Sequence, residues 1–308
     1  MTKSPAKKTK CGFVAIVGSP NAGKSTLLNI LVGQKLSIVT PKPQTTRNRV
    51  RGIKIHNDTQ IVFVDTPGIF KIKGKLDNRL NRSIVETSKN SFDGVDYFAF
   101  IFDCSKEFNE NDEEVLKTLE SQKSPKILIL NKVDIIRDKA KLLDITTLLN
   151  SKLEFEKTFM ISALKNKGTE DFIEYISKHL PDGVFLYPKD EISDFPMRIM
   201  AAEITREKIF LNIQEEIPYS IFVETEKFEE KKDSIKINQI IYTVTESHKK
   251  IILGKGASVL KRIGEQSRRE LTQLTGKKVS VFLHVKVSKD WMEKKESYLT
   301  SGIDFSTK

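Results

Sequence analysis

The sequence predicts an α/β domain followed by a smaller α+β domain, and three observations carry that prediction. A glycine-bracketed loop from Gly18 to Thr26 separates an apolar run, Phe13 to Val17, from a helical one, Leu27 to Leu31. Short apolar strands then alternate with amphipathic helices as far as Leu180, the pattern of a mainly parallel sheet covered by helices. After Pro196 the order changes to a helix, two alternating strands, a helical turn with a glycine loop, a basic helix and a strand.

Composition narrows the partners. The 308 residues are enough for two cores. The formal charge is +11, and much of it is gathered in one place, because His248 to Lys289 holds eleven Lys or Arg against two Asp or Glu. Such clustering points to a polyanionic partner. Cys11 and Cys104 lie far apart with neither C-x-x-C nor metal-ligand spacing, so they are expected as free thiols in a reducing cytoplasm. The longest apolar runs, such as Tyr97 to Phe102, are too short to span a bilayer. The lysines of residues 1–9 lead straight into the first strand without an apolar leader and are read as a solvated tail.

The loop Gly18-Ser19-Pro20-Asn21-Ala22-Gly23-Lys24-Ser25-Thr26 matches G-x-x-x-x-G-K-[ST] in the strand-to-helix context that gives the motif its meaning. Gly18 and Gly23 let the backbone bend with its N–H groups turned inward, and the following helix presents its positive end to the same anion. Lys24 supplies an ammonium for β- and γ-phosphates, and Ser25 a hydroxyl for Mg²⁺. Gly33 to Arg49 has no clean periodicity and carries Pro41, Pro43 and Gln44-Thr45-Thr46-Arg47. A loop of that length inside a domain points to function. Val50 to His56 and Gln60 to Val64 alternate around an Asn57-Asp58 turn, and the second run ends on Asp65-Thr66-Pro67-Gly68. An apolar strand finishing on Asp65 offers a carboxylate to Mg²⁺, and the Gly68 N–H can meet a γ-phosphate.

Helical spacing from Asn78 to Phe92, a strand from Asp96 to Phe102 and a helix from Glu110 to Ser121 lead to the strand Lys126 to Leu130, which ends on Asn131-Lys132-Val133-Asp134. A carboxylate such as Asp134 can accept from both N1–H and the exocyclic amino group of guanine, whereas adenine offers neither donor there. Sites built this way reject the wrong partner by about 10⁴–10⁵. Asn131 and Lys132 are expected to brace the loops beside the base. A helix from Lys139 to Leu149 and a strand from Lys157 to Ile161 precede Ser162-Ala163, where a backbone N–H near Ala163 can donate to guanine O6. The helix Thr169 to Leu180 closes the domain.

In the second domain, Met197 to Glu215 reads as a helix, and Tyr219 to Glu226 and Ser234 to Val244 as strands. Gly254-Lys255-Gly256-Ala257 precedes a helix from Ser258 to Leu274 carrying Lys261, Arg262, Arg268 and Arg269, then a strand from Val279 to Val287 and a final helix from Asp290. These loop and helix residues are the candidates for contact with the polyanion.

The series GSPNAGKS, QTTRN, DTPG, NKVD and ISA resembles the five ordered motifs of translation-factor-type small GTPases, and residues 10 to 290 resemble the Era family. The resemblance implies a Ras-like P-loop GTPase domain, α/β in class, over 10–181, a linker over 182–196, and an α+β KH domain of type 2 over 197–308. It implies GTP or GDP held with Mg²⁺ by the phosphate loop, by Asp65, Thr66, Pro67, Gly68 and Ile69, by Asn131, Lys132, Val133 and Asp134, and by Ser162 and Ala163. Thr46 is expected as a second hydroxyl ligand of Mg²⁺, with Thr45 the fallback. The implied partners are 16S ribosomal RNA and the 30S subunit, bound by a monomer in ribosome assembly.

Two departures from the family pattern matter. Alanine stands at position 257 where a G-x-x-G loop has its second glycine; a methyl there is tolerated if φ stays negative. Ile69 stands where Ras-like enzymes place the glutamine that orients water, so intrinsic turnover is expected on the order of 10⁻⁴ to 10⁻² s⁻¹. Asn21 is then either a holder of K⁺ beside the β- and γ-phosphates or a brace of its loop. Two other functions remain open. One is a membrane-surface GTPase that uses the basic patch on anionic lipid at the inner membrane, with Trp291 as anchor, although a lone Trp on an amphipathic helix is more often a cap on the core. The other is a P-loop ATP enzyme, which Asp134 argues against.

Overall fold

The computed structural model describes residues 8–42, 45–69, 79–214 and 217–291. Their contacts divide them into two units, one drawn from residues 1–37, 49–76 and 85–194, the other from 38–48, 77–84 and 195–308.

The first unit is built on a six-stranded sheet in the order β2-β3-β1-β4-β5-β6. Its strands are β1 (Lys10–Val17), β2 (Val50–His56), β3 (Thr59–Asp65), β4 (Tyr97–Asp103), β5 (Lys126–Asn131) and β6 (Lys157–Met160). All neighbours are parallel except the β2–β3 hairpin, which turns at the left-handed Asn57, φ 54°. Its helices are α1 (Lys24–Val32), α3 (Glu110–Glu120), α4 (Ala140–Lys152), α5 (Thr169–His179) and, from residue 85 onward, α2 (Arg79–Asn90). β3 and β4 are buried along their whole length, which is why they read as continuous apolar runs rather than alternating ones. Phe98, Phe100, Leu128 and Leu130 lie in one core with Val115 and Leu119 of α3. β1 is flanked by β3 on one side and β4 on the other, so the chain reverses its winding there, and ligands of such sheets bind beyond the strand ends at that point.

The second unit carries α6 (Met197–Asn212), β7 (Phe222–Glu230), β8 (Ser234–Thr243), α7 (Glu246–Leu253), α8 (Ser258–Thr275) and β9 (Lys278–Val287). The sheet order is β7-β8-β9, with β7 antiparallel and β9 parallel to the central strand. Strand β8 alternates buried and open positions, and its buried isoleucines pack with Ile204 and Ile209 of α6 and Ile263 and Leu271 of α8.

Two local expectations are corrected here, and Trp291 takes the core-capping one of its two readings. The helix predicted to run to Glu215 ends at Asn212, and Ile217–Ser220 form a 3₁₀ turn before the strand, which starts at Phe222. Helix α7 is a full helix where the sequence suggests only a helical turn; Thr245 caps it by accepting from the His248 N–H at 3.1 Å. Trp291 is 2% exposed, stacks on Phe222 at 5.6 Å and donates from Nε1 to the Ser220 carbonyl, so its ring is not free to anchor in lipid. The rest of the helix expected from Asp290 lies outside the described residues, as do Pro43 and Gln44. Among the described residues no helix is long and apolar enough to cross a membrane.

Candidate functional site

The ends of β1, β3 and β5 bring the predicted motifs of the first unit together. Gly18 leaves β1 where an added Cβ would sit 2.5 Å from the Ile101 carbonyl, so only glycine fits. Gly23 has φ 106° and immediately precedes α1. Lys24 is buried, and its ammonium donates to the Gly18 and Ser19 carbonyls at 3.0 and 2.9 Å. A Cβ on Gly68 would lie 3.3 Å from Lys24 Nζ and from Pro20 Cα, so the D-T-P-G turn abuts the phosphate loop closely enough to present its backbone there.

Asp65 is fully buried. Its Oδ2 accepts from the Ser25 hydroxyl at 2.8 Å and the Ser37 hydroxyl at 2.9 Å. Its Oδ1 is buried without a partner among the described residues, and a buried acceptor left unpaired is costly. A carboxylate beside a hydroxyl and a phosphate cradle, with one oxygen unsatisfied, is the donor set a hard cation takes, so the residues fit Mg²⁺. Burial pushes the Asp65 carboxyl up, with Lys24 and the two hydroxyls opposing.

Burial also lowers Lys24 from 10.5 to about 8, against the pull of Asp65 and Asp112. A bound polyphosphate restores the ammonium, so the sign is fixed: nucleotide binding takes up protons where the free lysine has lost its own. With a value of about 8, binding at pH 8.5 is expected to take up about 0.7 proton, and little at pH 7. Calorimetry in two buffers of different ionisation heat measures it, and equal heats at pH 8.5 would contradict it.

The base loop is held from below. Asn131 Nδ2 donates to the Ala22 carbonyl at 2.9 Å, and Lys132 Nζ to the Asn21 carbonyl at 3.1 Å. The Asp134 carboxylate lies 3.1 Å from Lys165 Nζ, and the Ser162 hydroxyl and Lys165 hold it below its usual range. It is therefore ionised and ready to accept. The Ala163 N–H donates to Asn131 Oδ1 at 3.0 Å, so this amide braces the base loop, and a contact with guanine O6 would have to share it or use a neighbour. Ile69 is fully buried in the core with Phe92 and Phe98, which takes its side chain away from any water.

Several contributors belong to no motif. Asn29 Oδ1 accepts from the Leu36 and Ser37 N–H groups at 2.8 and 2.9 Å, which sets Ser37 against Asp65. Asp112 accepts from the Asn109 N–H at 3.1 Å and bonds the Ser19 side chain. Single carboxylates and hydroxyls at these positions carry no spacing signal.

In the second unit, residues 38–42 and 45–48 are held by buried polar contacts. Arg206 donates to the Thr45 carbonyl, Arg47 to the Ile221 and Tyr219 carbonyls at 2.9 and 3.1 Å, and the Val39 N–H to Glu207 at 2.8 Å. Thr45 Oγ1 is 2.6 Å from Thr40 Oγ1, and Thr45 and Thr46 are both buried. The loop Gly254-Lys255-Gly256-Ala257 joins α7 to α8, and a groove of about 1010 Å³ runs between α8 and β9. Lys261, Arg268 and Arg269 line it, joined by Lys277, Lys278 and Phe282, which the sequence did not single out. Arg262 is exposed but not among its lining residues. Ala257 has φ 60°, so the condition under which its methyl was expected to fit is not met. It occupies the left-handed region at a cost of roughly 1–2 kcal/mol.

Comparison with known proteins agrees with this division. A family described as 50S ribosome-binding GTPase matches residues 13–132, and the KH domain family matches residues 216–292. GTPase Era of Brucella suis is 47% identical over 306 residues, covering 99% of this chain and 97% of the relative. GTPase Era of Sinorhizobium medicae is 46% identical with the same coverage. Two solved structures superpose with a TM-score of 0.89 at 39% identity, covering 96% of this chain and 99% of each neighbour. One is a point variant of Aquifex aeolicus Era bound to GDP.AlF4-; the other is Era in complex with MgGDPNP and nucleotides 1506-1542 of 16S ribosomal RNA. With near-complete coverage at that identity, the chain belongs to the GTPase Era family.

Proposed function

We propose that this GTPase is a nucleotide-dependent switch whose KH domain binds the 3′ region of 16S ribosomal RNA during assembly of the 30S subunit. The observation that carries the reading is the full-length likeness to an Era captured with both MgGDPNP and that RNA. The backbone of Gly18 to Thr26 and the Lys24 ammonium hold the phosphates, the Ser25 hydroxyl and Asp65 Oδ1 would hold Mg²⁺, and Asp134 reads the guanine edge. Thr66, Pro67 and Gly68 carry the backbone donor toward the γ-phosphate, and Val133 spaces Asp134 from Lys132. Held by these residues, the cation would supply electrostatic stabilisation for the negative charge that develops on the phosphates. Residues 38–48 are the segment whose arrangement depends on nucleotide, and their buried contacts with α6 and with residues 219–221 give the state of the nucleotide a route to the RNA-binding domain.

Since Ile69 leaves no side chain to orient water, added charge must come from elsewhere. Asn21, left-handed at φ 65°, is the residue we assign to K⁺. Hydrolysis is expected at least about tenfold faster in KCl than in equimolar NaCl, and equal rates would return Asn21 to a bracing role. The protein acts in the cytoplasm as a monomer. Peripheral attachment to the inner membrane is the second reading, weakened by the burial of Trp291.

Crosslinking to RNA in cell extract, followed by sequencing, tests the whole reading. Discrete enrichment at one 16S site with a non-hydrolysable GTP analogue, falling with GDP, is the expected result. Diffuse crosslinking indifferent to nucleotide would overturn it in favour of a general anionic anchor.

A further inference from the structure

The phosphate loop and the base loop are joined through a carboxylate that lies outside every motif. β4 ends on Asp103, which is 4% exposed. Its Oδ1 accepts from the Ser105 N–H at 3.0 Å and the Ser105 hydroxyl at 2.5 Å, so its own turn fixes the group. Its Oδ2 lies 2.6 Å from Lys132 Nζ, while Lys106 Nζ is further off at 3.9 Å. The same Lys132 ammonium donates to the Asn21 carbonyl at 3.1 Å. Asp103 is paired with Asn131 in the β4–β5 ladder, and the Cys104 N–H donates to the Asn131 carbonyl at 3.1 Å. The anchor therefore stands on a strand buried along its whole length, beside the loop it steadies.

Both ends of this bridge are left-handed. Lys132 has φ 62° and Asn21 φ 65°, and neither is glycine. Side chains other than glycine hold that conformation only with outside support. The Lys132 ammonium can brace the Asn21 carbonyl only if something orients it, and a long, flexible lysine does not orient itself. The fixed carboxylate, 2.6 Å from the ammonium, does so.

We propose that Asp103 is a positioning residue for nucleotide binding, which holds Lys132 against the phosphate loop so that the base-reading and phosphate-binding loops are set in register before the ligand arrives. The proposal rests on the reading of residues 18–26 and 131–134 as one guanine-nucleotide site. A ligand that spans two loops binds more tightly when they are already arranged, so the loss should appear in the release rate.

Release of a fluorescent GDP analogue from the full-length protein, chased with excess GDP, reads the effect. Asp103→Asn, which keeps size and removes charge, is expected to speed release about tenfold, with the preference for guanine over xanthine unchanged. Lys132→Ala should do at least as much, and the double variant no more than Lys132→Ala alone, because both remove one bridge. Ser105→Ala, which leaves the carboxylate and the ammonium in place, covers the case in which Asp103→Asn does not fold, and should speed release about threefold through a loosened anchor. Release from Asp103→Asn within twofold of the unaltered protein, or effects that multiply in the double variant, would overturn the proposal. In the Ser105→Ala arm, an unchanged rate would do the same. The site reading fails separately, if Asp134→Asn keeps its preference for guanine.

Discussion

Asp134→Asn is expected to lower affinity for GTP by about 10⁴-fold and to make xanthosine triphosphate the preferred ligand. The carboxylate has two acceptor oxygens and is kept ionised by Ser162 and Lys165, so it matches the two donors of the guanine edge. An amide keeps one acceptor and turns a donor toward the guanine amino group, which leaves two donors facing each other without water. Xanthine has a carbonyl at that position and completes the amide instead. Competition of the two triphosphates against a fluorescent nucleotide measures the switch. Unchanged selectivity would remove Asp134 from the base site, and the ATP-enzyme reading would regain its place.

Gly254→Ala is expected to weaken binding of short single-stranded RNA by about a hundredfold at fixed salt while leaving guanine-nucleotide affinity intact. Gly254 has φ 69° and ψ 175°, a combination open in practice only to glycine, where another residue costs of order 1–3 kcal/mol. Space forbids the change as well, because the added Cβ would meet Val259 Cγ2 at 2.5 Å and the Val259 backbone N at 3.1 Å. The loop must move, and the entrance to α8 moves with it. Ala257→Gly should act in the opposite direction. It removes a left-handed alanine at φ 60°, gaining up to about 1 kcal/mol of stability after the greater freedom of glycine in the unfolded chain is set against it. It also clears a methyl from the path of an RNA backbone, so RNA binding should tighten severalfold. Fluorescence anisotropy with one RNA, together with denaturant unfolding, reads both variants. RNA binding by Gly254→Ala at the unaltered level would exclude this loop from the interface.

The nucleotide site was legible in the sequence because its parts are local. A glycine loop, a strand ending on Asp65 and a strand ending on Asn131 each carry their own pattern, and the parallel sheet only has to bring the strand ends together. Asp103, Asp112 and Ser37 were not legible, since each meets the site through a contact made across the fold, nor was Asn29, whose bonds to Leu36 and Ser37 follow no motif spacing. Asp103 meets Lys132 because β4 and β5 are neighbours in register, which no spacing along the chain announces. Helix α7 is short and polar enough to pass for a turn, and the fate of Trp291 depends on a stacking partner, Phe222, far away along the chain. The backbone angle of Ala257 has the opposite sign to the one its methyl needs, because the tight loop between α7 and α8 takes positive φ at Gly254, Gly256 and Ala257 alike.

Cys104 follows Asp103 directly, is fully buried, and has its thiol pushed up to about 12 by burial and by the neighbouring carboxylate. Only the thiolate attacks alkylating reagents and disulfides, so in the closed protein this sulfur is doubly silent, by access and by ionisation. It reacts only during excursions that part the end of β4 from β5. Its rate of modification is therefore a native clock for breathing of the strands beneath the base loop, ticking more slowly whenever a nucleotide clasps that loop shut.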